Sequence, residues 1–375
     1  MMFYCDKAKV HGLLYRKYSS FVNSLAIISN VKRGTQDVKK EHHSQTVYFK
    51  NRPRIIGSYS IAGKKEFEGP IGKLIDHIFD DCHFKEKTHE QAEQKMFEHA
   101  IKGAIKDAKL KPSDVDMMMA GDLLNQIISS SFAARSFDMM FVGLYGACST
   151  VALSLAMGAL LTDGGYAKNV VAIAGSHFAT AERQYRTPLE LGNQRSPLSQ
   201  WTVTGAGACV ISGDKKEDKD PRITCATFGK VVDWGVKDVN NMGAAMAPAA
   251  AHTLKAHFHD TKRTPADYDA IFTGDLGKLG ENILRDLMAD AGYPLNHVYS
   301  DCGRIIFSEK QNLNQGGSGC GCSAVVLNSY IIDKLRKGEY KRILFVATGA
   351  LLSPVSSYQG NTVPGIAHAV VIESQ

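Results

Sequence analysis

The chain repeats itself, and that repeat limits the folds open to it more than any other feature. DVDMMMAGDLL (Asp114–Leu124) matches DYDAIFTGDLG (Asp267–Gly277). Each reads as an apolar strand ending in Gly-Asp-Leu, and each follows a Pro-bearing start signal, KPSD at 111–114 and TPAD at 264–267. CSTVALSLAMGALLTDGGYAKNVVAIAG (Cys148–Gly175) lies over CSAVVLNSYIIDKLRKGEYKRILFVATG (Cys322–Gly349) at a constant offset, so Gly164 meets Gly338 and Tyr166 meets Tyr340. TGAGACVIS (Thr204–Ser212) lies over PGIAHAVVIES (Pro364–Ser374), the last strand of each half. Turn, helix, Gly-Tyr turn and buried strand therefore recur, which predicts an α/β chain of two related halves with helices covering the sheets.

The boundaries follow from charge and composition. The net charge of +6 is uneven: residues 1–56 hold 11 Lys/Arg and 3 Asp/Glu, leaving −2 for the rest. The basic arm reads either as a solvated tail or as a segment drawn to an anionic membrane surface, and the globular part carries no nucleic-acid footprint. Residues 1–45 read as a basic, poorly ordered extension, and a start codon called upstream of the true one would account for it. The halves are 46–215 and 216–375, joined by the charged GDKKEDKDPR (Gly213–Arg222). Ala179–Trp201, with two prolines and little periodicity, reads as a long functional loop. FVNSLAIISNV (Phe21–Val31) lacks a following small-residue cleavage site and does not read as a signal peptide. No run of about 18 apolar residues occurs, so nothing is expected to span a membrane. The 8 cysteines show no paired zinc spacing, and a reducing compartment is the simpler setting. His252, His257 and His259 do not share one helix face with a ligand set, so no metal site is expected.

Cys148 opens the helix that follows the short apolar run beginning at Phe141, a position that presents a thiol to a helix N-terminus and lowers its pKa. Duplicated α/β halves with a cysteine there resemble the thiolase fold, and most of all its condensing enzymes. The resemblance implies two pseudo-symmetric halves, each a mixed sheet covered by helices, in five layers αβαβα. It also implies a homodimer formed through a sheet edge and long loops. The stretches FKNRPRIIGSYSIAGKKEFEGPIGKLIDHIFDD, AGDLLNQIISSSF, GLYGACSTVALSLAMGALL, GSHFATAERQYRTPLELGNQRSPLSQWTVTGAGA and NQGGSGCGCSAVVL resemble one branch, the stage V sporulation protein AD family of endospore formers. That resemblance implies a non-catalytic protein that binds dipicolinic acid, or its calcium chelate, with no further cofactor. It implies work with other membrane proteins of the same operon in moving dipicolinate into the forespore, at the spore inner membrane and without a membrane span.

The condensing enzymes place a His, and an Asn or second His, against the nucleophile. Here the first of those strand ends reads TGDL, with Asp275 where the His would stand, and the second reads NQGGSGCGCSA (Asn314–Ala324). A carboxylate beside a thiolate raises its pKa. Cys320 or Cys322 remains open as an acid/base, but its partner His is missing. An acyltransferase using Cys148 therefore stands only as the alternative. The expected ligand contacts are Cys148, His177, Asp275, Asn314, Ser318, Cys320 and Cys322. Backbone N–H groups of two facing helix starts, one per half, are expected to meet the two carboxylates of the ligand. Lys278, Arg183, Arg186 and Arg195 are candidates to neutralise them. Asp122 and Asp275 are also placed to cap the helix after each strand.

Overall fold

A computed structural model of the chain describes residues 44–185, 195–214 and 219–374. The basic extension expected at 1–45 falls almost wholly outside the described residues. The first half runs β1 (Thr46–Tyr48), β2 (Arg54–Gly63), β3 (His77–Phe79), α1 (His89–Asp107), β4 (Met117–Gly121), α2 (Ile128–Ala134), β5 (Met140–Gly143), α3 (Thr150–Asp163), β6 (Asn169–Ser176), α4 (Phe178–Tyr185), β7 (Trp201–Thr202) and β8 (Gly205–Ser212). The second runs β9 (Arg222–Thr227), α5 (Met242–Thr261), β10 (Ala270–Thr273), α6 (Gly277–Asp290), β11 (Tyr299–Asp301), β12 (Gly317–Ser318), α7 (Cys320–Val326), β13 (Arg342–Ala350) and β14 (Gly365–Glu373).

The repeat is realised strand for strand. β5, β4 and β6 are parallel, β8 runs antiparallel to β6, and β2 antiparallel to β8. In the second half β11, β10 and β13 are parallel, with β14 and then β9 antiparallel. A single pairing, Arg54 with Arg222, joins the half-sheets in the order β11-β10-β13-β14-β9-β2-β8-β6-β4-β5. One boundary shifts: β1, assigned by sequence to the first half, pairs with β9 of the second. Both start signals form short turns, Pro112–Asp114 and Pro265–Asp267, whose aspartates accept the backbone N–H groups of Lys111 and Thr264.

Burial pattern decides the layers. α1 starts behind Thr88, which accepts from Gln91 N, and buries Ala92, Met96, Phe97, Ala100, Ile101 and Ala104, a stripe at helical spacing. α1 therefore lies on the outer face of the first half-sheet. α3 buries most of its surface, from Val151 and Ala152 to Ala159, as befits a helix packed between two half-sheets, and leaves one stripe, Leu153, Met157 and Leu160, partly open. α7 packs beside it, and α5 and α6 cover the outer face of the second half. The helix beginning at α7 departs from its repeat partner. It starts at Cys320 and passes through a π-helical segment, Leu327–Ile331, so Cys322 lies inside the first turn while Cys148 lies before α3. The loop expected over Ala179–Trp201 is in part regular: Phe178–Tyr185 forms α4, whose Ala179 and Ala181 are buried. The centre of that loop, 186–194, lies outside the described residues.

Close backbone approach at β13 locks the Cys148 turn. A Cβ on Gly349 would sit 2.3 Å from the Gly146 carbonyl oxygen and 3.1 Å from Ser149 N. Gly349→Ala should therefore lower stability in urea titration by about 1–3 kcal/mol. Gly338→Ala should cost only the left-handed backbone term, roughly 1 kcal/mol, because its φ is 73° and nothing lies within 4 Å of the new methyl.

Candidate functional site

Three strand ends of the second half converge on the Cys148 turn of the first. Ala147, ahead of the cysteine, takes a left-handed φ of 48°, which turns the chain sharply into α3. The turn is closed by its own residues. Ser149 N and Oγ donate to Gly146 O, and Thr150 N and Oγ1 donate to Ala147 O. Cys148 is buried. Its thiol lies beside the Asp275 carboxyl, which follows β10, is itself fully buried, and acts on the thiol's ionisation. Asp275 Oδ2 accepts from Gly319 N at 2.9 Å and Ser318 Oγ at 3.2 Å, and its Oδ1 accepts from Thr348 Oγ1 at 2.9 Å. Gln200 Nε2 braces the same loop through Asp275 O and Gly317 O.

The electrostatics follow from this burial. Removal from water pushes the Asp275 carboxyl up to about 6 against its donors, of which the Gly319 N–H acts most strongly. Burial first, then the Asp275 charge, hold the Cys148 thiol well above its ordinary range. A helix start alone would lower it, so here desolvation and a like charge win.

Beside the thiol lies a small cavity, about 30 Å³ of free space, or room for about two waters. Cys148, Ser318, Thr202, Glu182, Tyr145 and Tyr185 supply its polar groups, within an apolar wall that includes Leu123, Met242 and Leu352. Tyr185 donates to Leu123 O, and the Tyr145 and Tyr185 hydroxyls lie 3.3 Å apart across the rim. No Lys or Arg is among the lining residues described.

Of the predicted contacts, Cys148 and Ser318 line this cavity, and Asp275 stands directly behind them. Cys320 is fully buried and outside the lining, its thiol raised by burial and then by Asp122. Cys322 turns away, with Sγ 3.6 Å from Gly274 O. His177 points out of the cavity: its Nε2 meets Cys82 O at 2.7 Å, its Nδ1 accepts from Ala179 N, and burial pushes it down to about 4. Asn314 donates to Ser196 O at 3.1 Å and lines a separate outer cavity of about 170 Å³ with Lys278, Arg304 and Glu309.

Of the expected basic partners, Lys278 and Arg183 are engaged elsewhere, and Arg195 stands against the cavity's own Glu182. Lys278 pairs with Glu309, Arg183 with Glu90, and Arg195 stacks 4.9 Å from the Trp201 ring, 3.8 Å from Glu182. Arg186 lies outside the described residues. Several N–H groups of the facing helix starts are already engaged within the protein. Gly319 N donates to Asp275, Gly321 N to Ser176 Oγ, and Cys322 N to Gly319 O, while Ser149 N and Thr150 N close the Cys148 turn. Capping is split as well. Asp122 accepts from Leu124 N and from Ser130 at the start of α2, but α6 is served by Asp301, which accepts from Leu276 N and Gly277 N. His257 is held between Thr227 and Tyr268, and His259 sits exposed by Asp260.

Tyr145, Glu182, Tyr185, Thr202 and Thr348 were not read from the sequence as site residues. Tyr145 stands three residues before Cys148 and was the one open to a spacing argument; the others arrive only by tertiary contact.

The geometry places the chain among thiolase-like proteins. Solved structures of the same fold include 3-oxoacyl-[acyl-carrier-protein] synthase III from Aquifex aeolicus VF5, with TM-score 0.51 and 16% identity over 86% of this chain and 99% of that one. Cerulenin-bound OleA from Xanthomonas campestris aligns with TM-score 0.57 and 13% identity over 91% of this chain and 100% of that one. The family model for stage V sporulation protein AD (SpoVAD) matches residues 43–373. Stage V sporulation protein AD of Bacillus subtilis (strain 168) is 45% identical over 329 residues, 88% of this chain and 96% of that protein. This chain belongs to the stage V sporulation protein AD family.

Asp275 also leaves a mark on stability. Its folded-state carboxyl is the weaker acid, so its contribution is present below about 3.8 and is lost as pH rises through about 6. Buried His177 and His368, pushed down to about 4, and His257, pushed down to about 3, act with the opposite sign. The stability of wild type minus that of Asp275→Asn isolates the carboxyl. In urea titrations that difference should fall between pH 4 and pH 7 by on the order of 2 kcal/mol.

Proposed function

We propose that this chain binds dipicolinic acid as its calcium chelate, beside Cys148, without chemical turnover. In this reading it serves dipicolinate uptake into the developing spore, as a peripheral component at the forespore inner membrane alongside membrane proteins of the same operon. The observation that carries the proposal is the buried Asp275 carboxyl beside the Cys148 thiol. Where a condensing enzyme needs a group that activates sulfur and polarises a carbonyl, this chain has one that keeps the sulfur protonated.

The charge of the cavity favours the chelate over the free dianion. Arg195, 3.8 Å from Glu182, offsets the charge in the wall, and the like charge left is Asp275 behind it, which about 5 Å away costs about 3 kcal/mol at an effective dielectric of about 20. Calcium cancels the two charges of dipicolinate and takes six or more oxygen ligands, leaving positions that Glu182, Thr202 and Ser318 are placed to fill. An aromatic ring needs more room than about two waters occupy, so Tyr185 must swing away from Tyr145 on entry. No helix among the described residues is long and apolar enough to cross a membrane, which suits a docked role. All four residues of the edge strand β5 are exposed, Met140, Phe141 and Val142 among them, which supports the expected homodimer.

Isothermal titration with dipicolinate and calcium together should give saturable one-to-one binding, and Glu182→Gln should weaken it at least about tenfold. Saturation without calcium, or no loss in Glu182→Gln, would refute the chelate assignment. The alternative, an acyltransferase acting through Cys148, predicts an acyl mass on that residue after incubation with acyl thioesters; none is expected. Val142→Lys should turn a dimer into a monomer in sedimentation velocity, with the far-ultraviolet circular dichroism unchanged.

A further inference from the structure

A second cluster of chemistry-bearing side chains lies away from the cavity, on the turn between β3 and α1. Cys82, His83 and His89 each bring one ligand atom to a common point, all within 4.8 Å of one another. The turn is built for this juxtaposition. Phe84 and Lys85, neither of them glycine, both take left-handed φ values of 48° and 62°, which folds the chain back so that the His83 ring stacks on His89 at 4.2 Å. Asp81 Oδ1 holds the bend from inside by accepting His83 N at 2.9 Å. His177 meets the Cys82 carbonyl and stands 5.2 Å, ring to ring, from His89, fixing the turn against the start of α4.

Two nitrogens here have no hydrogen-bond partner. Nδ1 of His83 and Nδ1 of His89 are both shielded from solvent and unpaired. Such groups carry a desolvation cost unless something pairs with them. Arg183 is the nearby cation, and it is paired with Glu90.

We infer that Cys82, His83 and His89 form a site for a divalent transition metal of the zinc class. One thiolate and two imidazoles match the borderline-soft character of zinc and do not suit calcium or magnesium, which take oxygen ligands. Donor atoms around tetrahedral zinc lie about 3.3–3.6 Å apart, so the turn closes by roughly 1 Å when loaded. Three protein ligands leave the fourth position to water. The cysteine loses its proton on binding, and no redox change is involved.

Cobalt(II) tests the site in the full-length chain. Titration with Co²⁺ should give one equivalent of tetrahedral cobalt with a thiolate charge-transfer band in the near ultraviolet. Cys82→Ser should abolish that band, and His83→Ala and His89→Ala should each weaken Zn²⁺ competition at least about tenfold. Zn²⁺ should slow iodoacetamide labelling of Cys82, located by peptide mass mapping, which separates it from the other cysteines. Cys82 is exposed, so the serine variant should keep the wild-type circular dichroism and leave calcium dipicolinate binding intact. A cobalt spectrum unchanged in Cys82→Ser, or no uptake of either metal, would overturn the assignment.

Discussion

The Asp275 carboxyl is the point on which the rest of this structure turns. A fully buried acid is costly unless its lone pairs are met, and here Gly319 and Ser318 at the start of α7 and Thr348 on β13 donate to it, with the Cys148 thiol of the other half set beside it. The same contacts therefore do two jobs. They fasten the first half to the second along the axis of the repeat, and they hold the cysteine in its protonated form. A condensing enzyme built on this frame would need the opposite arrangement, with the helix start and a histidine drawing the proton off sulfur.

What the sequence made legible was the part governed by periodicity. The paired Gly-Asp-Leu strands emerged as β4 and β10, the paired last strands as β8 and β14, and the helix opened by Cys148 as α3. Alternating helices and apolar strands pointed to helix-covered sheets, and the mixed character of each sheet followed from the fold resemblance. The aim of side chains at strand ends was not legible. His177 follows β6 as Cys148 follows β5, yet it turns outward to Cys82 because the residues around it, not its position in the chain, supply its hydrogen-bond partners. Asn314 was drawn away by the carbonyl of Ser196, a contact across 118 residues. The Cys82, His83 and His89 cluster escaped notice for a related reason: a Cys-His pair and a His six residues later meet only if two non-glycine residues adopt left-handed backbone.

The repeat also shows how duplication diverges. Asp122 and Asp275 occupy matching positions, but Asp122 caps the start of α2, while Asp275 reaches across to α7 and leaves the capping of α6 to Asp301. Cys148 and Cys322 share a register in sequence and part in space. The second helix begins at Cys320, so Cys322 is carried into the first turn and packs against Gly274 O. Symmetric expectations fail where one copy of a motif has taken a partner from the other half.

That asymmetry bears on how a charged ligand is recognised. The helix starts that would have cradled carboxylates are occupied by Asp275, Ser176 and the turn's own carbonyls. The described wall of the cavity contributes a carboxylate, Glu182, and no cation. A site of this kind repels a bare dianion and accepts one whose charge arrives already cancelled. On the proposed reading, selectivity lies in the cation that travels with the ligand, and the protein supplies the missing oxygen ligands in place of a positive charge. On that reading Lys278 and Arg183 are not needed for the carboxylates, and their pairing with Glu309 and Glu90 is compatible with it, while Arg195 offsets Glu182 in the cavity wall.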